Sequence, residues 1–216
     1  MVDLPSWWEP LLSNVAHAKA SDFTRLPTPE TGGRSSAVLV LLGEIRPGEP
    51  DVLILERAAN LRSHAGQPAF PGGASDPGDH DAVATALREA NEEVGLDPDS
   101  VHVLAQLPTL WIPVSGFLVT PVLAWWRAPH EVGPADPGEV ARVSRLRIAD
   151  LVDPANRLQV RVRNGWLSPA FQVDGMVVWG FTAGVLSTLL DLAGWSRPWP
   201  TDRVEDLPGT SAAPLR

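Results

Sequence analysis

Short apolar runs and helical spacings follow one another along this chain. The runs at residues 37–42 and 52–55 flank a turn-rich stretch, a pattern typical of two adjacent buried strands joined as a hairpin. In residues 81–94 the apolar positions recur every three or four residues, which predicts one buried face of a helix that ends at Gly95. The pattern therefore begins with a hairpin and continues, after an interval, with an amphipathic helix.

The remaining apolar runs predict an α/β order of elements. Strands are expected at 101–104, 119–126, 141–146 and 158–162, and a helical turn at 148–152. A short amphipathic helix is expected at 6–19, and a second long helix at 177–193 with Gly194 as its C-cap. Residues 1–34 are interpreted as an N-terminal helix and linker, 35–194 as one α/β domain, and 195–216 as a proline-rich, frayed tail.

The interval at residues 57–78 is irregular and rich in glycine and proline. Its glycines, Gly72 and Gly73 among them, allow close or left-handed backbone, whereas its prolines stiffen the chain. A loop of this length is usually functional. We therefore expect part of a binding site here.

Composition and charge exclude several classes of function. Hydrophobic residues make up 44% of the 216 positions and charged residues 20%, which is typical of a globular protein. The formal net charge of -9 would repel a phosphate backbone, so no nucleic-acid partner is expected. No apolar run approaches the roughly 20 residues that cross a bilayer, and the start lacks a signal pattern, so we expect a cytoplasmic protein without a membrane partner.

The chain has no cysteine, so its chemistry must come from carboxylates, histidines, hydroxyls or a hard cation. The acidic side of the helix at 81–94 is a candidate of this kind. Glu89, Glu92 and Glu93 stand at i, i+3 and i+4, where like charges repel by about a few tenths of a kcal/mol per pair. A bound Mg²⁺ or Mn²⁺ would reverse that cost, and Arg88 could hold one carboxylate through a bidentate pair. Taken alone, such a cluster is more often a solvated helix face. The loop in front of it changes that balance.

A resemblance to a known family begins at Gly72, where the chain reads GGASDPGDHDAVATALREANEEVGL. The stretch resembles the signature of the Nudix hydrolases, G-x5-E-x7-R-E-U-x-E-E-x-G-U, in which U is apolar. The matching residues are Gly73, Arg88, Glu89, Ala90, Glu92, Glu93, Gly95 and Leu96. Asp79 stands where the first glutamate belongs, and eight residues rather than seven separate it from Arg88. Both departures resemble the coenzyme A diphosphatase branch of the family.

A second motif lies directly upstream, at residues 53–73, which read LILERAANLRSHAGQPAFPGG. It resembles that branch's motif, roughly L-L-T-x-R-S-x-x-L-R-x-H-x-G-Q-V-x-F-P-G-G. The matching residues are Arg57, Leu61, Arg62, His64, Gly66, Gln67, Phe70, Pro71, Gly72 and Gly73. The departures are Leu55, Ala58 and Pro68. With a W-G-x-T-A match at 179–183 and an E-V element at 139–140, the resemblance covers about residues 37–193.

The resemblance implies a Nudix fold, in which a mixed β-sheet is sandwiched between α-helices. It also implies a diphosphatase that uses Mg²⁺ or Mn²⁺, with Glu89 and Glu93 as principal ligands and Glu92 completing or assisting the shell. The general base is either Glu139 or a glutamate of the helix. The implied substrate-binding residues are Arg57, Arg62, His64, Gln67, and the backbone amides of Gly72 and Gly73. Among the nine tryptophans, Trp111 and Trp166 are the ones to consider for stacking on an adenine.

Three functions stay open at this point. The first is hydrolysis of coenzyme A or acyl-CoA to adenosine 3',5'-bisphosphate and (acyl-)4'-phosphopantetheine, which the upstream motif favours. The second is a Nudix hydrolase for another nucleoside diphosphate derivative, such as NADH or ADP-ribose, or for an NTP. The third, a non-catalytic Nudix domain that senses a ligand, usually lacks the metal glutamates, and all three stand here. The expected partner is a small nucleotide substrate of the coenzyme A class, and a homodimer is left open.

Overall fold

The computed structural model describes residues 4–29, 31–60, 65–162 and 165–206. Its α-helices are α1 (Trp8–Val15), α2 (Ala20–Phe23), α3 (Ala82–Val94), α4 (Ile148–Leu151) and α5 (Gly180–Leu192). Its strands are β1 (Arg34–Arg46), β2 (Glu49–Arg57), β3 (Pro68–Ala69), β4 (Gly72–Ala74), β5 (Val101–Gln106), β6 (Leu110–Ile112), β7 (Phe117–Trp126), β8 (Val140–Arg147), β9 (Arg157–Arg161), β10 (Leu167–Val173), β11 (Met176–Val178) and β12 (Val204–Glu205).

A mixed sheet, of eight strands within the described residues, forms the centre of the fold. β1 runs parallel to β7 and antiparallel to β2, while β8 pairs with β2, and β5 and β6 pair with β7. β1 and β2 pair only near their connection, at residues 42–46 and 49–52. Farther along, β3 pairs with β2 and β4 pairs with β1, so the glycine-rich loop enters the sheet where the two strands separate.

The apolar run of β1 covers both faces of this sheet, since successive strand residues project to opposite sides. Leu39 and Leu41 pack in one buried cluster with Ala86 and Ala90 of α3. The alternate residues of β1, such as Val40, belong to a second cluster that includes residues of α1 and α5. The predicted α/β fold, a mixed sheet between helices with α3 on one side and α5 on the other, is confirmed.

Helix α3 matches its prediction at both ends. The side chain of Asp81 caps the helix by accepting a hydrogen bond from the backbone N–H of Ala84 at 2.7 Å. Gly95 ends it in the left-handed conformation, with φ of 70°. The expected hairpin at 37–42 and 52–55, the four later strands and the turn at 148–152 are also present, most with bounds shifted by a few residues.

The helix predicted at 177–193 begins later than expected. Residues 177 and 178 belong to β11, which pairs with β10, and α5 starts at Gly180. A run of valine and tryptophan fits either element, and here the pairing with β10 decides in favour of a strand. Gly194, with φ of 69°, follows the helix directly after Ala193.

Near both ends of the chain, the described residues are better packed than predicted. α1 is shorter than the expected helix, and its buried residues are Trp8, Leu11 and Val15. The expected linker at 21–34 contains the end of α2 and the first residue of β1. The prediction of a frayed tail is wrong for residues 195–206, because Trp195 packs against the core and β12 pairs in parallel with β9.

A second sheet, which the sequence pattern did not predict, has the order β11–β10–β9–β12 within the described residues. It packs beside α5 and ends at the strand that leads into that helix. Over the same residues, the helices are too short or too polar for any of them to traverse a bilayer.

Candidate active site

A glycine pair in β4 brings the loop backbone into contact with α3. Gly72 has a φ of 153°, and a Cβ atom built on it would lie 2.6 Å from the Cα atom of Val38 in β1. A Cβ atom on Gly73 would lie 2.5 Å from both Cδ and Oε1 of Glu89. Side-chain carbons do not approach other atoms so closely, so position 72, which faces backbone, needs glycine, and a side chain at position 73 would displace the Glu89 carboxylate. The carboxylate of Glu89 therefore lies directly against the strand.

Glu93 is the buried carboxylate of α3. Its side chain is 4% exposed, and it accepts a hydrogen bond from the backbone N–H of Gly72 at 2.9 Å. Nη1 of Arg57 lies 3.6 Å from its Oε1 atom. Burial raises the pKa of Glu93 to about 7, and the negative charges of Glu89 and Glu139 act in the same direction. Among the residues that the structure describes, the positive charge near Glu93 therefore does not offset the cost of burying its carboxylate.

Arg88 ties α3 to the loop that precedes it. Its guanidinium donates two hydrogen bonds to Asp79, from Nε to Oδ1 at 3.1 Å and from Nη2 to Oδ2 at 3.0 Å. Nη2 also donates to the carbonyl oxygen of Ala74 at 3.0 Å. These bonds hold the pKa of the Asp79 carboxyl below its ordinary range. The bidentate pair that we expected between Arg88 and a helix glutamate is therefore made with Asp79 instead.

The three glutamates of α3 differ in their surroundings. Nη1 of Arg88 lies 3.0 Å from Oε1 of Glu89 and 2.9 Å from Oε2 of Glu92. The side chain of Glu92 is 57% exposed, whereas that of Glu89 is 18% exposed. Burial raises the pKa of Glu89, and Arg88 opposes part of that rise. Only Glu92 has the solvated environment of an ordinary helix face.

Arg57 lies at the end of β2, opposite α3. The Nε atom of Arg57 is buried without a hydrogen-bond partner among the described residues. The backbone N–H of Arg57 donates to the carbonyl oxygen of Gln67 at 3.1 Å. The next residue, Ala58, donates through its N–H to the carbonyl oxygen of Glu139 at 2.8 Å. Arg57, Gln67 and Glu139 therefore meet at one end of the sheet. Two further candidates, Arg62 and His64, lie outside the described residues.

The pair formed by Glu89 and Glu93 has the chemistry that a divalent cation requires. Within the described residues, no group of three or more His, Asp or Glu side chains is already arranged to hold a metal ion. Both residues nevertheless offer carboxylate oxygens, which Mg²⁺ and Mn²⁺ prefer. The two side chains contact the consecutive residues Gly73 and Gly72, and burial raises the pKa of each. A cation bound by them would offset that cost.

The site is supported by two threonines that were not predicted from the sequence as site residues. Thr85, buried in α3, donates from its hydroxyl to Oδ2 of Asp79 at 2.9 Å. Thr182, buried in α5, donates from its hydroxyl to the carbonyl oxygen of Pro68 at 3.2 Å and so holds the glycine-rich loop. Thr182 belongs to the W-G-x-T-A match, which could have indicated its role. A polar residue on the apolar side of α3 was the available signal for Thr85.

The chain is similar in sequence to known proteins. Residues 33–164 match the family model described as the NUDIX domain. The chain is 39% identical over 166 residues to the uncharacterized Nudix hydrolase NudL of Citrobacter koseri, covering 74% of this chain and 83% of the relative. It is 41% identical over 162 residues to the NudL of Cronobacter sakazakii, covering 72% of this chain and 81% of that protein.

A solved structure shares the fold. It is the crystal structure of a Nudix hydrolase from M. smegmatis, RenU, which superposes with a TM-score of 0.51 at 20% sequence identity, covering 76% of this chain and 88% of that one. The chain belongs to the Nudix family. It is a hydrolase that acts on nucleoside diphosphate derivatives.

Proposed function

We propose that this chain hydrolyses the diphosphate bond of coenzyme A or acyl-CoA, giving adenosine 3',5'-bisphosphate and (acyl-)4'-phosphopantetheine. The observation that carries the proposal is the buried carboxylate of Glu93, held by Gly72 and facing Arg57. The motif at residues 53–73, which resembles the coenzyme A diphosphatase branch, supports the choice of substrate.

The reaction needs negative charge to be neutralised, because the anionic oxygens of a diphosphate repel an incoming nucleophile. Glu89 and Glu93, with Glu92 assisting, would hold Mg²⁺ or Mn²⁺, which would supply this neutralisation and Lewis-acid polarisation of the phosphoryl group. Arg57 binds phosphate oxygens, because a guanidinium pairs with phosphate bidentately and its Nε has no hydrogen-bond partner among the described residues. Gln67, Arg62 and His64 complete the substrate-binding side.

The backbone amides of β4 are the remaining groups that the sequence suggested as hydrogen-bond donors to phosphate. The N–H of Gly72 already donates to Glu93, so in this arrangement its contribution is to orient that carboxylate. Gly73 leaves room for Glu89 and for close approach of a phosphate. The glycine pair thus acts through positioning as much as through direct binding.

A carboxylate must take a proton from the attacking water. Meanwhile the oxygen of that water bonds to phosphorus and the bridging P–O bond breaks. Glu139 is the candidate outside α3: it is exposed, it precedes β8, and its charge acts on Glu93. A glutamate of α3 is the alternative. Glu139→Gln separates them: a fall in kcat of about 10²-fold or more supports Glu139, and unchanged kcat assigns the proton to α3.

The direct test incubates the protein with coenzyme A and Mg²⁺ or Mn²⁺ and identifies the products by mass. Adenosine 3',5'-bisphosphate and 4'-phosphopantetheine are expected in equal amounts. The same conditions are applied to NADH, ADP-ribose and nucleoside triphosphates. Faster cleavage of one of these would move the substrate to another nucleoside diphosphate derivative, and no cleavage of any would favour a ligand-sensing domain.

Glu93→Gln is the variant that connects the site to the reaction. The amide keeps an oxygen for the N–H of Gly72 but cannot bear the charge that a cation needs. We expect kcat to fall by about 10²-fold or more, with the melting temperature unchanged or raised. Glu49→Gln, on the same sheet far from α3, is the matched control. Full activity of Glu93→Gln would refute the role given to this carboxylate.

A further inference from the structure

A cleft lies beside the proposed reaction site, between the loop that leads into β3 and the strand that leads into α5. Its volume is about 280 Å³, and its walls include Glu56, Gln67, Pro68, Met176 and Trp179. We name it the β3–β11 cleft. This volume is near the lower end of the range for small-molecule sites, which suits one planar group better than a whole nucleotide.

We propose that the β3–β11 cleft binds the adenine base of the substrate, with Trp179 as the stacking surface and Glu56 as the hydrogen-bond acceptor. The inference rests on the proposed function, since it assigns a subsite to that substrate. It also replaces Trp111 and Trp166, which the sequence had suggested for stacking, with a tryptophan that lines a cavity.

The chemistry of the walls carries this choice. The indole of Trp179 offers an aromatic face, and nucleic bases stack on such faces in proteins. Glu56 is an acceptor, and a carboxylate suits the exocyclic amine of a base. Among the described residues nothing donates a hydrogen bond to the carboxylate of Glu56: Arg142, opposite it on β8, pairs with Asp174 instead.

The negative charge of Glu56 excludes the phosphate groups of the substrate from the cleft. An uncompensated carboxylate in the wall would repel the 3'-phosphate, whereas an uncharged base with N–H donors is accepted. Met176 and Pro68 add an apolar surface that suits a flat heterocycle. The cleft therefore selects for a neutral, planar, hydrogen-bond-donating group.

The cleft lies close enough to serve the same molecule. Glu56 immediately precedes Arg57, whose guanidinium approaches Glu93. Gln67 and Gly73 are six residues apart, which sets an upper limit of about 20 Å between the two regions. Adjacent residues of a strand project to opposite faces, so the bound nucleotide would pass around this end of the sheet.

Binding is tested first without any reaction. Metal-free protein, kept in chelator, is titrated with adenosine 5'-monophosphate and separately with inosine 5'-monophosphate, which has a carbonyl in place of the amine. The indole N–H resonance of each tryptophan is followed by NMR and assigned with Trp179→Phe. We expect the Trp179 resonance to shift, with at least ten-fold weaker binding of the inosine compound.

Variants then test the acceptor. Glu56→Gln should reduce the preference for the adenosine compound to less than about three-fold, because the amide can also donate to a carbonyl. Glu49→Gln, at the other end of β2, should keep it. Equal binding of the two nucleotides, no binding, or shifts at Trp111 or Trp166 in place of Trp179 would each overturn the proposal. The proposal would also be overturned if pantetheine alone displaced the nucleotide and reversed the shift of the Trp179 resonance.

Kinetics separates this inference from the proposed function. With coenzyme A, Glu56→Gln should raise KM at least five-fold with little change in kcat, because the base is remote from the bond that breaks. If the wild type cleaves coenzyme A and Glu56→Gln leaves KM and base preference unchanged, only the subsite fails. If the cleft discriminates the bases but coenzyme A is not cleaved, only the proposed function fails.

Discussion

Glu93 is the residue on which the charge balance of the site depends. Its carboxylate is buried, and the nearest cation among the described residues, Nη1 of Arg57, stands 3.6 Å away rather than in a close pair. Burial raises its pKa to about 7, so the metal-free protein binds a proton here at a pH where the unfolded chain does not. A proton and a divalent cation bound at this site would therefore compete for the same oxygens.

This competition predicts the pH dependence of stability. Because the folded pKa is above the ordinary value of 4.5, the stabilising contribution is complete below pH 4.5 and is lost as the pH rises through 7. The loss amounts to up to about 3 kcal/mol. The melting temperature of the metal-free protein should therefore decrease as the pH rises from 4.5 to 7. Mn²⁺ should raise the melting temperature more at pH 8 than at pH 5.5. In Glu93→Gln this part of the pH dependence should disappear; if it persists, another group causes it.

At this scale the sequence identified residue types better than their surroundings. Arg88, Glu89 and Glu93 were recognisable from the signature spacing; Glu89 and Glu93 lie at the glycine pair, and Arg88 donates to the carbonyl oxygen of Ala74 just after it. Burial could not be predicted, since i, i+3 and i+4 spacing makes the three glutamates of α3 look alike. The difference comes from β4, which covers Glu93 and leaves Glu92 in solvent.

At the scale of elements, the site is built on the contact between β4 and α3. β4 lies between β1 and the helix, with Gly72 against the strand and Gly73 against Glu89. The two glycines therefore meet different neighbours, one a rigid backbone and one the end of a side chain. Their substitutions should have different consequences.

Gly72→Ala and Gly73→Ala form a matched pair. In Gly72→Ala the new Cβ atom would lie 2.6 Å from the Cα atom of Val38, so the strand must shift, and we expect a loss of about 3 kcal/mol or more in unfolding free energy. In Gly73→Ala the carboxylate of Glu89 can move aside, so stability should change by less than about 1 kcal/mol while kcat falls at least about ten-fold. Chemical denaturation and kinetics measure both. The reverse order of stabilities would contradict the described packing.

Among the elements, α3 was predictable because its apolar spacing, its Asp81 cap and its terminal Gly95 all agree. The start of α5 was not, because the residues before Gly180 suit a strand as well as a helix. Their assignment depends on β10, a partner that the local pattern does not reveal. Long-range pairing, and not propensity, decides such segments.

Described segments near the two ends of the chain pack together on the side of the sheet away from α3. Trp7 stacks on Trp8 at 4.6 Å between ring centroids and meets Trp195 edge to face at 5.7 Å. Farther along, Trp199 lies with its ring centroid 4.6 Å from the guanidinium carbon of Arg157, which is buried and whose pKa is lowered by that burial. Proline-rich composition alone had suggested a frayed tail, because these contacts are distant in sequence.

A chain that ends at Gly194 tests this packing. It loses Trp195, the aromatic cover of Arg157 and the pairing of β12 with β9, so we expect its unfolding free energy to fall by at least about 3 kcal/mol. Denaturant melts of the shortened and complete chains provide the comparison. Equal stability would mean that residues 195–206 do not pack as described.

Uptake of Mn²⁺ at pH 8, followed by calorimetry or electron paramagnetic resonance, tests most directly whether the carboxylates at the glycine pair bind a divalent cation. The wild type and Glu49→Gln should take up the ion with the same affinity. Glu89→Gln and Glu93→Gln should each bind at least about ten-fold more weakly. No uptake by the wild type even with coenzyme A present, or undiminished uptake by both α3 variants, would contradict the assignment.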